Sequence, residues 1–228
     1  MKVIGIGGFA RAGKDAFVSI AKNILTKNGY KPQRFAFADN LKKEVNSVLH
    51  DHQFSLDVHT TDTAEKAKLR PLLVWWGCAR RDMSTNGMYW VEQVHKQLVS
   101  IKNSFEDSDE DNAFVALISD VRFVNEAKWL HDDWGGSFIH LRRFSMQKCR
   151  DGYGDDFMGQ VFDPAPNEEE AKNDPLIQEL ADVKVEWESR GIPSGGCVTK
   201  DDYLQGKVLD ALNSTKFFKH QTIGTLSL

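Results

Sequence analysis

Apolar and polar positions follow two periods along the chain, which together predict strands that alternate with helices. Short apolar runs between polar flanks are typical of strands buried on both faces. These runs predict strands at 2–6, 34–37, 114–118, 137–141 and 197–198. Apolar residues at helical spacing predict helices at 14–27, 40–49, 63–76, 89–102, 125–131, 176–180 and 201–212. The alternation predicts an α/β fold, with a parallel sheet of about five strands and helices on both faces.

Three polar stretches interrupt the pattern. Residues 50–63 lack a clear period and are predicted to form a loop, and the acidic run at 106–111 predicts a solvated loop. Glycine, proline and acidic residues dominate from 145 to about 173, without a helical or strand period. Long excursions of this kind in a compact domain are usually functional, so we expect a lid over about 145–175 in a single domain.

Two residues modify the predicted helix at 63–76. Pro71 is expected to start or kink this helix, because proline lacks the N–H that an interior helical position donates. Gly77 is expected to end it.

The segment Gly8-Phe9-Ala10-Arg11-Ala12-Gly13-Lys14-Asp15, called the glycine loop below, joins the first predicted strand to the first predicted helix. Glycine, four residues, glycine and lysine in this context is the spacing of a phosphate-binding P-loop. Glycines allow the backbone to turn its N–H groups inward, and the helix N-terminus that follows favours negative charge. The loop therefore predicts a nucleotide site in which Lys14 reaches the β and γ phosphates of ATP.

One position departs from the usual motif. Asp15 stands where serine or threonine normally places a hydroxyl on Mg²⁺. An ordinary glycine turn that caps a helix is the alternative interpretation of the loop.

Charged residues follow four of the predicted strands. In a parallel α/β sheet, ligands bind beyond the carboxyl ends of the strands, so these side chains are expected to converge there. The glycine loop follows the first strand and Asp39 the second. Asp120 and Arg122 follow the third strand, and Arg142 and Arg143 follow the fourth.

Phosphoryl transfer depends on electrostatic positioning, and these residues supply carboxylates and cations for it. Asp120 is placed like a carboxylate that orients Mg²⁺, and Asp15 could contribute a second one. Alternatively, Asp120 caps the next helix or pairs with Arg122. Glu126 could form an ion pair with Arg122, four residues earlier, or contact a substrate. Arg142 is assigned to the nucleotide side and Asp39 to the acceptor side, and either Arg142 or Arg143 could simply be solvated.

Composition narrows the class of protein. The 228 residues are 41% hydrophobic and 27% charged, with a net charge of -4, which gives no indication of a nucleic-acid polymer as partner. Three scattered cysteines suggest neither a disulfide framework nor a zinc site and fit a reducing cytoplasm. No secretory signal or membrane span is expected. A hydrophobic tail at 217–228 could pack on its own domain or in a homodimer.

Several motifs in this order resemble one family. They are the glycine loop, Phe-Ala-Asp-x-Leu-Lys at 37–42, Arg-Pro-Leu-Leu-x-x-x-Gly at 70–77, Met-Tyr-Trp-Val at 88–91 and Asp-Val-Arg-Phe-x-Asn-Glu-Ala at 120–127. With them the chain resembles the phage-type deoxynucleoside monophosphate kinases, a branch of the P-loop kinases. The resemblance thins at 50–63 and 145–185. Members of this family also tend to carry aspartate after the loop lysine, so Asp15 agrees with it.

The resemblance implies a P-loop kinase fold and a set of site residues. ATP phosphates would be held by Lys14 and the backbone of Gly8, Ala12, Gly13 and Asp15, with Arg11 facing the transferred group. Residues 50–105 would bind the monophosphate. The site for it would be shaped by Arg70, Trp90, Asp120, Arg122 and Glu126. The family's His-x-x-Glu stretch retains only Glu188 here, which puts that contact in doubt. Lys148 or Arg150 would be lid cations. Trp75, Trp76 and Trp90 could stack on a base, although such residues are more often core.

The resemblance thus implies an enzyme that transfers phosphate from Mg²⁺-bound ATP to deoxynucleoside monophosphates. Its partners would be small nucleotides. Two other interpretations remain open. One is a P-loop kinase for another small acceptor, such as dephospho-coenzyme A or a sugar acid. The other is a nucleotide-binding module without turnover, which the missing hydroxyl at Asp15 favours.

Overall fold

A computed structural model describes residues 1–105, 110–150, 156–189 and 200–218. Its strands are β1 (Lys2–Gly7), β2 (Lys31–Phe35), β3 (Phe114–Val121), β4 (Ser137–Arg150), β5 (Asp156–Phe162) and β6 (Val183–Glu188). Its helices are α1 (Lys14–Lys27), α2 (Phe37–Asp51), α3 (Thr63–Asp82), α4 (Tyr89–Asn103), α5 (Glu110–Ala113), α6 (Val124–Asp132), α7 (Glu168–Glu179) and α8 (Lys200–Ser214). The α/β class predicted from the sequence is confirmed.

The chain divides into two compact units. The sheet unit comprises Met1–Arg34 and Asn112–Leu228, and the helical unit comprises Phe35–Asp111. None of the helices in the described part of the chain is both long and apolar enough to cross a membrane.

The sheet is mixed rather than wholly parallel. Its strand order is β2-β3-β1-β4-β5, and β6 also pairs with β4. Strand β1 is parallel to both β3 and β4, and β6 is parallel to β4. Strand β5 is antiparallel to the second half of β4, from Phe144 to Arg150. The expectation of a parallel sheet is therefore wrong at this edge, because β4 runs well beyond Leu141 and the chain returns beside it.

Helices pack on both faces of the sheet. One side of β1, including Ile4 and Ile6, packs in a core cluster with Phe17 of α1 and Leu212 of α8. Helix α6 covers the other side, where a Cβ added to Gly5 would lie 2.6 Å from Leu130. This arrangement fits the continuous apolar runs of β1 and β3, since both faces of those strands are covered.

The described parts of the segment at 145–173 are more regular than the sequence predicts. It contains the second half of β4, strand β5 and the start of α7. Most side chains of β5 and of the second half of β4 are exposed or half-buried, so these strands lack the apolar–polar alternation by which a half-buried strand is predicted. Helix α7 begins with three acidic residues, which also hid it in the sequence. Residues 183–188 form a strand that the apolar pattern of the sequence did not predict.

The helical unit is built around α2, α3 and α4. Val45, Leu49, Val58 and Leu69 form its buried core, with Trp76 packed against them. Gly77 does not end α3, which continues to Asp82 with Pro71 inside it. Pro71 and Gly77 interrupt the apolar pattern in the sequence, but the helix itself continues past both of them.

Four sequence predictions lie partly or wholly outside the described residues. They concern the acidic loop, of which 106–109 fall outside, the lid, of which 151–155 fall outside, the strand at 197–198, and the tail from 219 onward. Phe218 is described and is buried in the sheet unit, where its ring meets Tyr30 edge to face at 5.2 Å.

Candidate functional site

The glycine loop connects β1 to α1 and requires glycine at both ends. Gly8 has φ +122°, and a Cβ there would lie 2.2 Å from the carbonyl oxygen of Leu141. Gly13 has φ +93°, and a Cβ there would lie 2.4 Å from the Trp187 ring. Arg11 also adopts a positive φ, 69°, and is exposed. The loop is therefore a tightly specified turn, since side chains are excluded at both glycines.

Trp187 of β6 supports the loop from the sheet. Its indole Nε1–H donates to the carbonyl oxygen of Ala12 at 2.8 Å, and the ring is 2% exposed. The ring also packs against Phe17 in the first turns of α1, with centroids 6.2 Å apart. Sequence reasoning assigned no role to this tryptophan, whose apolar alternation with Val185 was the available signal.

Lys14 lies beneath the loop rather than in solvent. Its ammonium donates to the carbonyl oxygens of Gly8 and Phe9, both at 2.7 Å, and the residue is 9% exposed. Burial is the main cause that lowers the pKa of Lys14, to about 8, and the Arg122 guanidinium lowers it further. The carboxylates of Glu170, Asp120 and Asp15 act in the opposite direction.

Four of the sequence-predicted residues thus share one electrostatic site. Asp15 is exposed on the first turn of α1, and Asp120 is half-buried near the end of β3. Arg122 is exposed after that strand. All three act on the charge of Lys14, as expected for groups at the carboxyl ends of adjacent strands.

Glu170 of α7 is the member of this site that sequence reasoning missed. Its Oε2 accepts a hydrogen bond from the backbone N–H of Ala10 at 2.6 Å. Its Oε1 accepts one from Arg122 Nη1 at 3.3 Å, and the carboxylate side chain is 12% exposed. The glycine loop therefore already binds an oxyanion, supplied by its own chain.

Glu126 has a structural role in the described contacts. Its carboxylate accepts hydrogen bonds from the backbone N–H groups of Arg122, at 2.7 Å, and Phe123, at 3.1 Å. It is 2% exposed at the start of α6. The two alternatives considered from the sequence were an ion pair with the Arg122 side chain and a substrate contact, whereas in these contacts the carboxylate fixes the backbone that carries Arg122.

The arginines after Leu141 have partners within the sheet unit. Arg142 lies over the Phe162 ring at 3.7 Å from its centroid, with Nη1 3.5 Å from Glu186. Arg143 pairs with Asp163 at 2.6 Å. Glu188, half-buried at the end of β6, is paired in register with Phe144.

The proposed lid cations belong to the β4–β5 hairpin. Lys148 and Arg150 both face Asp156, at 2.6 Å and 3.4 Å, and both are largely exposed. Surface pairs of this kind contribute little to stability.

In the helical unit, Asp39 and Arg70 are exposed whereas Trp90 is not. The Trp90 ring is 2% exposed, its Nε1–H donates to the carbonyl oxygen of Gly77 at 3.1 Å, and Tyr89 packs edge to face against it. This is the core alternative for that tryptophan. Trp75 is 64% exposed.

A second polar cluster, also missed from the sequence, surrounds Glu44 in the helical unit. Its carboxylate accepts hydrogen bonds from Trp76 Nε1 at 3.0 Å, Arg80 Nε at 3.0 Å and the Tyr89 hydroxyl. Burial alone would raise the pKa of Glu44, but these three donors together lower it. The guanidinium of Arg80 lies against the rings of Trp76 and Tyr89, with centroids 5.6 Å and 4.9 Å away.

Among the described residues, no group of three or more histidine, cysteine, aspartate or glutamate side chains is arranged to hold a metal ion. Comparison of the chain with protein-family models gave no match, and comparison with curated proteins gave none. The geometry of the glycine loop therefore carries the functional proposal.

Proposed function

We propose that the protein has a P-loop kinase fold and transfers phosphate from ATP to deoxynucleoside monophosphates. The observation that carries the proposal is the oxyanion bound at the glycine loop. There the Ala10 N–H and the Arg122 guanidinium hold a carboxylate beside Lys14. The same donors suit the oxygens of a phosphate.

Each residue of the loop has a role in this proposal. The backbone of Gly8, Ala12 and Gly13 gives the turn that directs N–H groups at the phosphates. Lys14 neutralises negative charge on them, because a phosphate beside it favours its protonated form. Arg122 presents a planar fork to the transferred group, and Arg11 lies exposed in the loop for the same group.

Magnesium fits the site as an ion held mostly by phosphate and water. Mg²⁺ usually binds proteins through one or two carboxylates and keeps several waters. Asp120 and Asp15, both close enough to act on Lys14, are the residues that would hold it. When bound, it would neutralise charge that develops between the β and γ phosphates.

Acceptor recognition is assigned by resemblance to Asp39, Arg70, Trp90 and Glu188. Asp39 and Arg70 are exposed and able to contact a ligand directly. Trp90 would act by supporting α3 through its bond to Gly77. We expect such an enzyme in the cytoplasm, where nucleotides are present and where a reducing environment would keep Cys78 and Cys149, both unbridged in the structure, as thiols.

A coupled assay of ADP release tests the proposal with dAMP, dCMP, dGMP and dTMP as acceptors and Mg·ATP as donor. We expect turnover with at least one of them, and its loss in Lys14→Ala. Turnover only with dephospho-coenzyme A or a sugar acid would support a kinase with another acceptor. ATP binding without product would support a non-catalytic module, and unchanged activity in Lys14→Ala would contradict the role of the loop.

A further inference from the structure

Helix α7 directs a carboxylate away from its own N-terminus. Asn167 caps this helix, and its side-chain oxygen accepts from the Glu170 backbone N–H at 2.8 Å. A glutamate at this position usually completes a capping box by bonding to the backbone N–H of the cap residue. In the described contacts Glu170 Oε2 instead binds the Ala10 N–H, 160 residues away in sequence. Its Oε1 also accepts a longer hydrogen bond from Asn167 Nδ2, at 3.5 Å, so the side chain serves the glycine loop as well as its own helix.

A buried pair holds α7 in the position that permits this contact. Asp174, four residues after Glu170, lies on the same helical face, and its Oδ1 is 2.9 Å from His140 Nε2. His140 is fully buried and Asp174 nearly so. His140 is also paired in register with Gly7, the last residue of β1 before the loop. The His140–Asp174 pair therefore lies beside the strand residue that leads into the glycine loop.

The surroundings of the Glu170 carboxylate are those that a phosphate oxygen would require. A backbone N–H, a guanidinium and the Lys14 ammonium all interact favourably with negative charge there. A phosphate placed at the same donors would face the carboxylate at close range, and two anions repel strongly in a partly desolvated site. Both cannot use the Ala10 N–H at once.

We propose that Glu170 is a built-in competitor that occupies the phosphate position of the glycine loop and so sets its affinity for nucleotide. This inference rests on the proposed function. Binding of a polyphosphate displaces the carboxylate from the Ala10 N–H and from Arg122, while Asp174 keeps α7 attached to β4. Before nucleotide binds, the contact restrains the glycine loop and reduces its affinity for single small anions.

Isothermal titration of the full chain with sodium tripolyphosphate and with Mg·ATP tests the competition. We expect Glu170→Ala to bind tripolyphosphate about tenfold or more tightly than wild type, because a charge-assisted competitor is removed. Glu170→Gln should be intermediate, since its amide remains a weaker acceptor. Glu168→Gln is the matched control, because it removes one exposed charge from the same helical turn. It should change affinity by no more than about twofold.

Each outcome decides the competition separately from the kinase activity. Equal binding by wild type and both Glu170 variants overturns the competition. Weaker binding by both variants also overturns it and makes Glu170 a residue that assists the ligand. Absence of tripolyphosphate binding by every protein in the set overturns the competition as well. Tighter binding without phosphate transfer to any deoxynucleoside monophosphate overturns the proposed function alone. Transfer with unchanged affinity in Glu170→Ala overturns the competition alone.

Discussion

Lys14 combines burial with positive charge, and this combination is costly in the absence of ligand. Two carbonyl oxygens at 2.7 Å replace part of the water that an exposed ammonium would have. The lowering of its pKa to about 8 shows that they do not replace all of it. Under the proposed function, a phosphate bound at the loop would offset this penalty.

The pH dependence of stability should reveal this cost. Between pH 8 and 10.5 the unfolded chain keeps the Lys14 proton while the folded chain has lost it, so the free energy of unfolding rises with pH in this window. We expect this rise, at most about 3 kcal/mol, to disappear in Lys14→Met. Urea unfolding at several pH values measures it.

Lys22→Met is the matched control for that measurement, since Lys22 is an exposed lysine on the same helix. The free energy of unfolding of wild type minus that of Lys14→Met should become more positive as the pH rises from 8 to 10.5. A difference that stays constant across this range would contradict the burial of a strained ammonium beneath the loop.

Tyr89 and Glu44 form a pair whose two pKa values move apart. The phenol donates to the carboxylate, which raises the pKa of Tyr89, and together with Trp76 and Arg80 it lowers the pKa of Glu44. The stabilisation from Glu44 is complete above its unfolded pKa, near 4.5, and is lost as pH falls through the lower folded value. We expect Tyr89→Phe to lower the free energy of unfolding by about 1–2 kcal/mol at pH 7. Chemical denaturation measures this change.

The loss in Tyr89→Phe should shrink at low pH, where Glu44 is protonated in both proteins. Tyr203→Phe removes a hydroxyl that bonds to no residue in the described part of the chain, and it controls for the change of side chain. Equal stability of Tyr89→Phe and Tyr203→Phe at pH 7 would contradict the role of the Glu44 cluster.

At the scale of elements, the loop takes its shape from two strands that flank it. Strand β4 supplies the Leu141 carbonyl that excludes a side chain at Gly8, and β6 supplies the Trp187 ring that excludes one at Gly13. Trp187 also donates to Ala12. The loop geometry is therefore a property of the sheet as well as of its own glycines.

Gly13 and Gly29 both have positive φ, so substituting each by alanine separates the free-energy cost of backbone strain from that of a steric clash. Gly13→Ala combines φ +93° with a contact of 2.4 Å to Trp187, whereas Gly29→Ala has φ +82° and no atom within 4 Å. We expect Gly29→Ala to cost about 1 kcal/mol and Gly13→Ala at least about 1 kcal/mol more. Thermal unfolding gives the comparison. Equal losses of stability in the two variants would show that the Trp187 ring moves away at little cost and does not fix the loop.

The same scale shows where sequence patterns succeed. Continuous apolar runs identified β1, β3 and the first half of β4, because buried strands leave a signal in their own residues. The β4–β5 hairpin carries exposed Phe157 and Met158 among polar residues, so no face alternates cleanly. Trp187 was visible as an apolar position, but its contact with the loop depends on the pairing of β6 with β4.

At the scale of the whole molecule, the glycine loop could be predicted from spacing because its residues are contiguous. Asp120 and Arg122 could also be predicted, since strand ends of a parallel sheet share an edge. Glu170 could not, because its contact with Ala10 depends on where α7 docks. In the helical unit, Trp90 and Glu44 likewise take their environment from the packing of α2, α3 and α4.

The most direct test of the central claim follows the transferred phosphate itself. The chain is incubated with Mg²⁺, ATP labelled with ¹⁸O at the γ phosphate, and one deoxynucleoside monophosphate at a time, and the products are identified by mass spectrometry. We predict that the label appears in a deoxynucleoside diphosphate for at least one acceptor, and that Lys14→Met forms none. Label that stays in ATP or enters only inorganic phosphate, or equal transfer by Lys14→Met, would contradict the account.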